Sequence, residues 1–275
     1  MSFLQNFHHQ ITGPAGDSPK LVFLHGVMGF SSNWRRIAKA FENEYQVLVF
    51  DQRGHGRTTL RPASGYAPED YGDDLLRILD ELGWGEINLV GHSMGGRTAL
   101  HFGASYPQRV TRLVIEDIGP NLPENRQSTV IKIINTVPVP FPDRQAAKTY
   151  FESTFFEQFK EVSQPKGLAA YLFANISENE QKQAVWRFSV PAIRESMAQG
   201  RMGDRWDEVR ALRMPTLLVR GEHSTDLTRD VYEEVLETNP VIEGVEIADA
   251  GHWVHSDKPD EFTEALRRFL QPKGL

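Results

Sequence analysis

The sequence predicts an α/β protein, with a mostly parallel sheet covered by helices on both faces and a helical insertion before the sheet is complete. Three observations carry this. Short apolar, β-branched runs recur at Leu21–Leu24, Tyr45–Phe50, Ile87–Val90, Val110–Ile115, Thr216–Val219 and Val245–Ala248. Stretches with helical spacing lie between most of them, at Ser31–Asn43, Pro68–Leu82, Met94–Tyr106, Thr228–Thr238 and Pro259–Leu270. Strands apolar on both sides need cover on both faces, and helical crossovers between them make neighbouring strands parallel. The third observation is that this alternation stops after Pro120 and resumes at Pro215.

Taken in order, Leu21–Leu24 is the first buried strand, and Ser31 or Ser32 is placed to cap the helix that follows. Tyr45–Phe50 leads into the turn Asp51–Gly56, and Ile87–Val90 and Val110–Ile115 flank the helix Met94–Tyr106. Thr228 is a cap for the penultimate helix, and Asp257 precedes Pro259 at the start of the last. Between them, the stretch from Asn121 to Arg210 follows Pro120, carries Pro123, Pro138, Pro140 and Pro142, and continues as helical pieces without strand-like runs. There Phe151, Phe155, Phe156 and Phe159 share one helical face. That face either packs onto the main domain or lines a pocket as the underside of a lid. The expected organisation is a core domain of 1–120 and 211–275 with a helical cap, or lid, over 121–210.

Composition narrows the function. The chain has 275 residues, 40% hydrophobic and 24% charged, which suits one large domain or a domain plus an insertion. A net charge of −7 argues against a general nucleic-acid or anionic-membrane binder. The absence of cysteine excludes disulfides, zinc–thiolate sites, iron–sulfur clusters and a thiol nucleophile. Met1–Asn6 has neither a basic start nor an apolar stretch, and no apolar run approaches the ~18 residues of a membrane span, so a cytoplasmic protein without membrane insertion is expected. A monomer or weak homo-oligomer is expected.

The strongest chemical signal is Ile87-Asn88-Leu89-Val90-Gly91-His92-Ser93-Met94-Gly95-Gly96-Arg97. It reads as a buried strand, a Gly-x-Ser-x-Gly turn and the start of a helix. Such a turn holds serine in a strained conformation with its hydroxyl exposed, and the flanking glycines leave room for neighbouring backbone. The helix N-terminus behind Ser93 favours negative charge developing there. The five-residue pattern is weak alone, but specific between a strand and a helix.

With this motif the chain resembles the α/β-hydrolase superfamily from about Lys20 to Leu270. Four motifs match in order. His25-Gly26-Val27-Met28-Gly29 looks like the oxyanion loop, and Asp51-Gln52-Arg53-Gly54-His55-Gly56 looks like a structural turn. The serine elbow is third, and Ala250-Gly251-His252-Trp253 looks like the loop bearing the catalytic histidine. Gly-His-Ser-Met-Gly-Gly, with Glu-Asp-Ile-Gly-Pro after the next strand, is similar to small bacterial acyl esterases and their mitochondrial relatives.

The resemblance implies Ser93 as nucleophile and His252 as its base, since a serine hydroxyl needs a proton acceptor at neutral pH. His8, His9, His101 and His223 lack a comparable context, and His255 reads as loop packing. The superfamily's usual acid lies three positions after the strand ending at Gly221, where this chain has Ser224. Two candidates remain. Asp117, after the strand following the elbow helix, matches the slot used by the resembling esterases, and Asp226 lies two residues beyond Ser224. Asp117 is favoured, because a hydrogen-bond contact tolerates little loop displacement. A structural reading, in which Glu116-Asp117 braces a turn, stands beside it. The N–H groups of Val27 and Met94 are the implied oxyanion donors. His25, His92, Phe155 and Trp253 are the candidate substrate-contacting residues, although His25 and His92 also suit hydrogen-bonded support of their loops.

No cofactor or metal is implied. Gly54-x-Gly56 and Gly83-x-Gly85 lack the third glycine of a dinucleotide fingerprint, and neither a phosphate loop nor a His-Glu-x-x-His pair is present. His8-His9, near a terminus expected to fray, is a weak metal hint. Serine in the nucleophile slot argues against the dehalogenase and epoxide-hydrolase branches. The expectation is a serine esterase acting on a small-molecule ester through an acyl-enzyme. The alternatives are a menaquinone-pathway-like lyase, C–C hydrolysis or perhydrolysis by the same groups, and a ligand-binding receptor with vestigial hydrolysis.

Overall fold

Alternate side chains of the apolar runs divide cleanly between two cores. The structure, a computed structural model, describes residues 2–121, 129–162, 164–200 and 202–271. Its strands are β1 (His9–Thr12), β2 (Lys20–Leu24), β3 (Gln46–Phe50), β4 (Ile87–His92), β5 (Val110–Glu116), β6 (Ile176–Glu178), β7 (Ala184–Trp186), β8 (Thr216–Gly221) and β9 (Ile242–Ile247). Seven form one sheet in the order β1-β3-β2-β4-β5-β8-β9, with every pairing parallel except the edge pair β1–β3.

Val22, Leu24, Leu48, Phe50, Leu89, Leu113, Ile115 and Leu218 point to one face. There they meet α2 (Pro68–Leu82), α3 (Met94–Ser105), α9 (Trp206–Ala211) and α10 (Arg229–Thr238). Leu21, Phe23, Val47, Val49, Val90, Val114, Leu217 and Val219 point the other way, against α1 (Arg35–Phe41) and α12 (Pro259–Leu270). A period-two strand with both faces apolar has no other stable placement.

The segment between β5 and β8 holds α4 (Thr129–Thr136), α5 (Arg144–Glu152), α6 (Thr154–Gln158), α7 (Pro165–Ala174) and α8 (Val190–Gln199). It has its own apolar cluster, in which Phe151, Phe155 and Phe159 pack with Ile133, Leu168 and Leu172. Phe151, Phe155 and Phe159 are therefore buried among residues of the segment together with Met28 of the main domain, and Phe156 is partly buried against the same cluster. Val209 of α9 already packs with the core although it precedes the expected boundary at 210.

Several local expectations are corrected. The insertion was expected to lack strands, yet β6 and β7 pair antiparallel; each is too short to leave a periodic signal. The terminus expected to fray contains β1, and the His8 carbonyl accepts the Asp51 N–H at 2.8 Å. The last strand starts at Ile242 rather than Val245, because the exposed Glu243 and Gly244 of this edge strand interrupt its apolar run. Ser31 and Ser32 lie in a 3-10 turn and cap nothing; the Phe30 N–H donates instead to Asn33 Oδ1. Thr228 does cap α10, whereas Asp257 accepts the Gly251 N–H and leaves Lys258 at the N-cap of α12. Pro123 lies outside the described residues. Among the described residues, no helix is long and apolar enough to cross a membrane.

Candidate active site

The centre of the sheet sets the position of Ser93, the candidate nucleophile. β4 ends at His92, and α3 begins at Met94, so the chain reverses within Ser93. Ser93 has φ 53° and ψ −116°, a conformation that costs an ordinary residue about 1–3 kcal/mol. Its N–H donates to the Glu116 carbonyl at 3.0 Å, which ties the elbow to β5. A Cβ on Gly91 would lie 2.2 Å from the Gly95 carbonyl oxygen, and one on Gly95 would lie 2.4 Å from the Leu24 carbonyl oxygen. The two motif glycines are required by backbone contact.

The loop after β9 brings in the histidine. His252 Nε2 lies 3.0 Å from Ser93 Oγ, and its Nδ1 lies 2.8 Å from Asp117 Oδ2. With Nδ1–H donating to the carboxylate, Nε2 carries the lone pair that faces the serine hydroxyl. Asp117 follows β5 at φ 54° and is wholly buried. Its Oδ1 accepts the Gly221 N–H at 2.9 Å, and its Oδ2 also accepts the hydroxyl of Ser224. Asp226 Oδ2 is 3.7 Å from His252 Nδ1, beyond hydrogen-bond range, on a side chain 41% exposed.

These groups shift one another. Burial disfavours the charged form of His252, but Asp226, Asp117 and Glu116 outweigh it and push the imidazole up to about 9. Burial raises the Asp117 carboxyl, against the hydrogen bonds from His252, Ser224 and Gly221. His92 is held well below the ordinary histidine value by burial and by its histidine neighbours. Its neutral ring donates from Nε2 to the His252 carbonyl at 2.9 Å, fixing the backbone that carries the candidate base.

A cavity of about 420 Å³ opens over Ser93. Val27, Met94, His92, Asp226, His252 and Trp253 line it on the core side, and Val130, Ile133, Val162 and Met197 on the insertion side. Trp253 meets the His252 ring edge-on, with centroids 5.0 Å apart. Among the described residues, no acceptor lies against the N–H of Val27 or Met94. Two expected substrate contacts are corrected. His25 is buried away from the cavity, where its Nδ1–H donates to the Gly26 carbonyl and its Nε2 accepts the Gln52 N–H, so it braces two loops. Phe155 is fully buried and stacked on Phe159, with centroids 4.4 Å apart, leaving no surface for a ligand.

Sequence reasoning missed two supports. Ser224 occupies the slot where the resemblance placed an acid, and its hydroxyl donates to Asp117, the candidate acid; its position was the available signal. His255, expected only to pack, donates both its N–H and its Nδ1–H to Glu116, each at 2.8 Å. That contact holds the loop three residues after His252. His92, Glu116 and His255 also place potential metal-ligand atoms within 4.8 Å of one another, although His255 already takes up the Glu116 carboxylate.

Comparison with known proteins identifies the family. Residues 19–259 match the family described as the alpha/beta hydrolase fold, and the chain belongs to that family. The sn-1-specific diacylglycerol lipase ABHD11 of Danio rerio is 31% identical over 272 residues, covering 97% of this chain and 83% of that protein. Esterase YbfF of Escherichia coli K12 is 27% identical over 96% of this chain and 98% of its own. A solved marine microorganism esterase superposes with a TM-score of 0.79 at 27% identity, covering 96% of this chain and 98% of that one. With esterases and lipases as its relatives, the chain is a carboxylic ester hydrolase.

Proposed function

We propose that the protein cleaves small to medium acyl esters through a Ser93–His252–Asp117 triad and an acyl-enzyme. Ser93 Oγ attacks the ester carbonyl carbon while His252 Nε2 takes its proton. The tetrahedral oxyanion is held by the N–H groups of Val27 and Met94, with the N-terminus of α3 behind it. Collapse breaks the bond to the alcohol oxygen, which leaves with the proton from His252. A water molecule then gives its proton to His252 and attacks the acyl carbonyl, releasing the carboxylic acid and restoring Ser93. Asp117 fixes the imidazole tautomer and stabilises the imidazolium. Val130, Ile133, Val162 and Met197 form the apolar wall for the acyl group.

The continuous contact Ser93 Oγ–His252–Asp117, at 3.0 and 2.8 Å, carries this reading. A relay with a buried carboxylate supports turnover rather than a receptor role. A non-covalent elimination would leave no acyl-enzyme. The experiment is fluorophosphonate labelling with peptide mapping on wild type, Ser93→Ala, Asp117→Asn and Asp226→Asn. Labelling should fall on Ser93, disappear in Ser93→Ala and collapse in Asp117→Asn alone. Wild-type turnover of p-nitrophenyl acyl esters by Ser93→Ala would sink the proposal.

A further inference from the structure

A second cleft, of about 570 Å³, lies where the turn after β3 meets the insertion. Its walls are Gly56, Arg57 and Arg61 from the turn, with Arg144, Ser177, Glu178, Trp186 and Arg187 from the insertion. Among the described residues, it shares no lining residue with the cavity over Ser93. The chain as a whole is acidic, at −7, yet four arginines converge here. Among the described residues, none of the four has a carboxylate within 4.0 Å. Among the described residues Glu178 is the one acidic wall residue, and the nearby Asp51 is engaged by the N–H groups of Ser31 and Arg57.

The cluster is also partly built. Arg61 donates to the carbonyls of Thr58, Gly56 and Arg187, and Arg144 donates to the Ile176 carbonyl at 2.6 Å. Arg144 and Arg187 lie over the rings of Phe173 and Phe30, at 4.6 and 5.0 Å. Arg187 Nε is buried without a hydrogen-bond partner, and the Arg57 side chain makes no hydrogen bond among the described residues. Burial and the charge of Arg57 lower the Arg187 guanidinium from its ordinary value; Asp51 opposes this and Arg144 adds to it. Like charges gathered at this density, with unused N–H donors, fit an anion that accepts several hydrogen bonds at once.

We propose that this cleft binds a phosphoryl group, gripped by Arg57 and Arg187 and flanked by Arg61, Arg144 and the Ser177 hydroxyl. The planar fork of arginine matches phosphate oxygens in pairs, and a multiply charged group answers the excess positive charge better than a lone carboxylate. The phosphoryl group belongs either to a small phosphorylated molecule or to a phospholipid headgroup.

Titration with pyrophosphate by calorimetry and sedimentation with vesicles of phosphatidic acid, against phosphatidylcholine, separate the two sources. Saturable binding to either probe is expected, about tenfold weaker in Arg57→Gln, less so in Arg57→Lys, and weakened by salt. Because the Arg57 side chain bonds nothing among the described residues, Arg57→Gln should keep the wild-type melting temperature and ester turnover. Pyrophosphate binding that Arg57→Gln weakens supports the free molecule, and selective phosphatidic-acid binding that it weakens supports the headgroup. Absence of binding to both probes, or binding indifferent to Arg57→Gln and Arg187→Gln, overturns the proposal.

Discussion

Removing the second carboxylate near His252 should make the enzyme faster at neutral pH. Asp226 Oδ2 sits 3.7 Å from His252 Nδ1 and is the leading influence raising its pKa, which reaches about 9. Only the neutral imidazole can take the serine proton, so kcat/KM should rise with pH through that value. At 3.7 Å a unit charge pair is worth about 1 kcal/mol in water and about 4 kcal/mol at an effective dielectric constant of 20. The Asp226 side chain is 41% exposed, which places the effect near the lower end. About 1.4 kcal/mol corresponds to one pH unit. Asp226→Asn should therefore move the midpoint of the rising limb down by about one unit and leave the alkaline plateau in place. At pH 7, well below the midpoint, the neutral fraction and kcat/KM should rise several-fold, towards tenfold. Asp117→Asn should instead lose about 10⁴ in kcat at every pH, because its amide cannot hold the tautomer. The assay is the pH profile of kcat/KM with a p-nitrophenyl ester. If Asp226→Asn suppresses turnover across the whole range, or leaves the limb unmoved, the division of roles between the carboxylates is wrong.

Other substitutions test the scaffold and the cavity. Ser224→Ala removes a donor to the buried Asp117 carboxylate and an acceptor for the N–H groups of Asp226 and Leu227. It should cost about 1–3 kcal/mol in denaturant unfolding and lower kcat more than it raises KM. Gly91→Ala forces a methyl group against the Gly95 carbonyl and should destabilise by about 3 kcal/mol, seen as a melting temperature lower by roughly 6–12 °C. Val162→Phe narrows the cavity from the insertion side. If it displaces two methylenes of the acyl chain, at about 0.8 kcal/mol each, the preference for octanoate over butyrate esters should fall roughly fifteenfold in kcat/KM.

The sheet was legible because its strands are buried on both faces: Leu21–Leu24 and Val47–Phe50 are continuous apolar runs. The edge strands were legible only in part: Val245–Ala248 marks the second half of one, and the other was missed. Half-exposed His9–Thr12 carries no run at all, and Glu243 and Gly244 break the one at Ile242–Ile247. Ser93 was legible because its backbone conformation needs glycines at fixed offsets, which leave a local mark. The identity of the carboxylate beside His252 depends on which of two loops comes within 2.8 Å, a difference of about an ångström that no local pattern encodes. Phe155 shows the reverse failure. Helical spacing reports an apolar face, but does not report whether that face meets a ligand or the protein itself.

The end of β5 explains why an acid on this strand can serve a histidine that arrives from a distant loop. The Glu116 carbonyl receives the Ser93 N–H, its carboxylate receives two N–H groups of His255, and the next residue, Asp117, receives His252. Two consecutive residues thus fix the turn at Ser93, the His252 imidazole and the loop that carries it. β4 and β5 are paired in register through His92 and Glu116, so any displacement of β5 moves the serine turn with it. An acid after β8 would sit one strand further out and would depend on a longer loop to reach the same imidazole. In this chain that longer loop supplies Ser224, which bonds Asp117 Oδ2, and Asp226, which stays half-exposed at 3.7 Å and raises the imidazole's proton affinity without holding the ring.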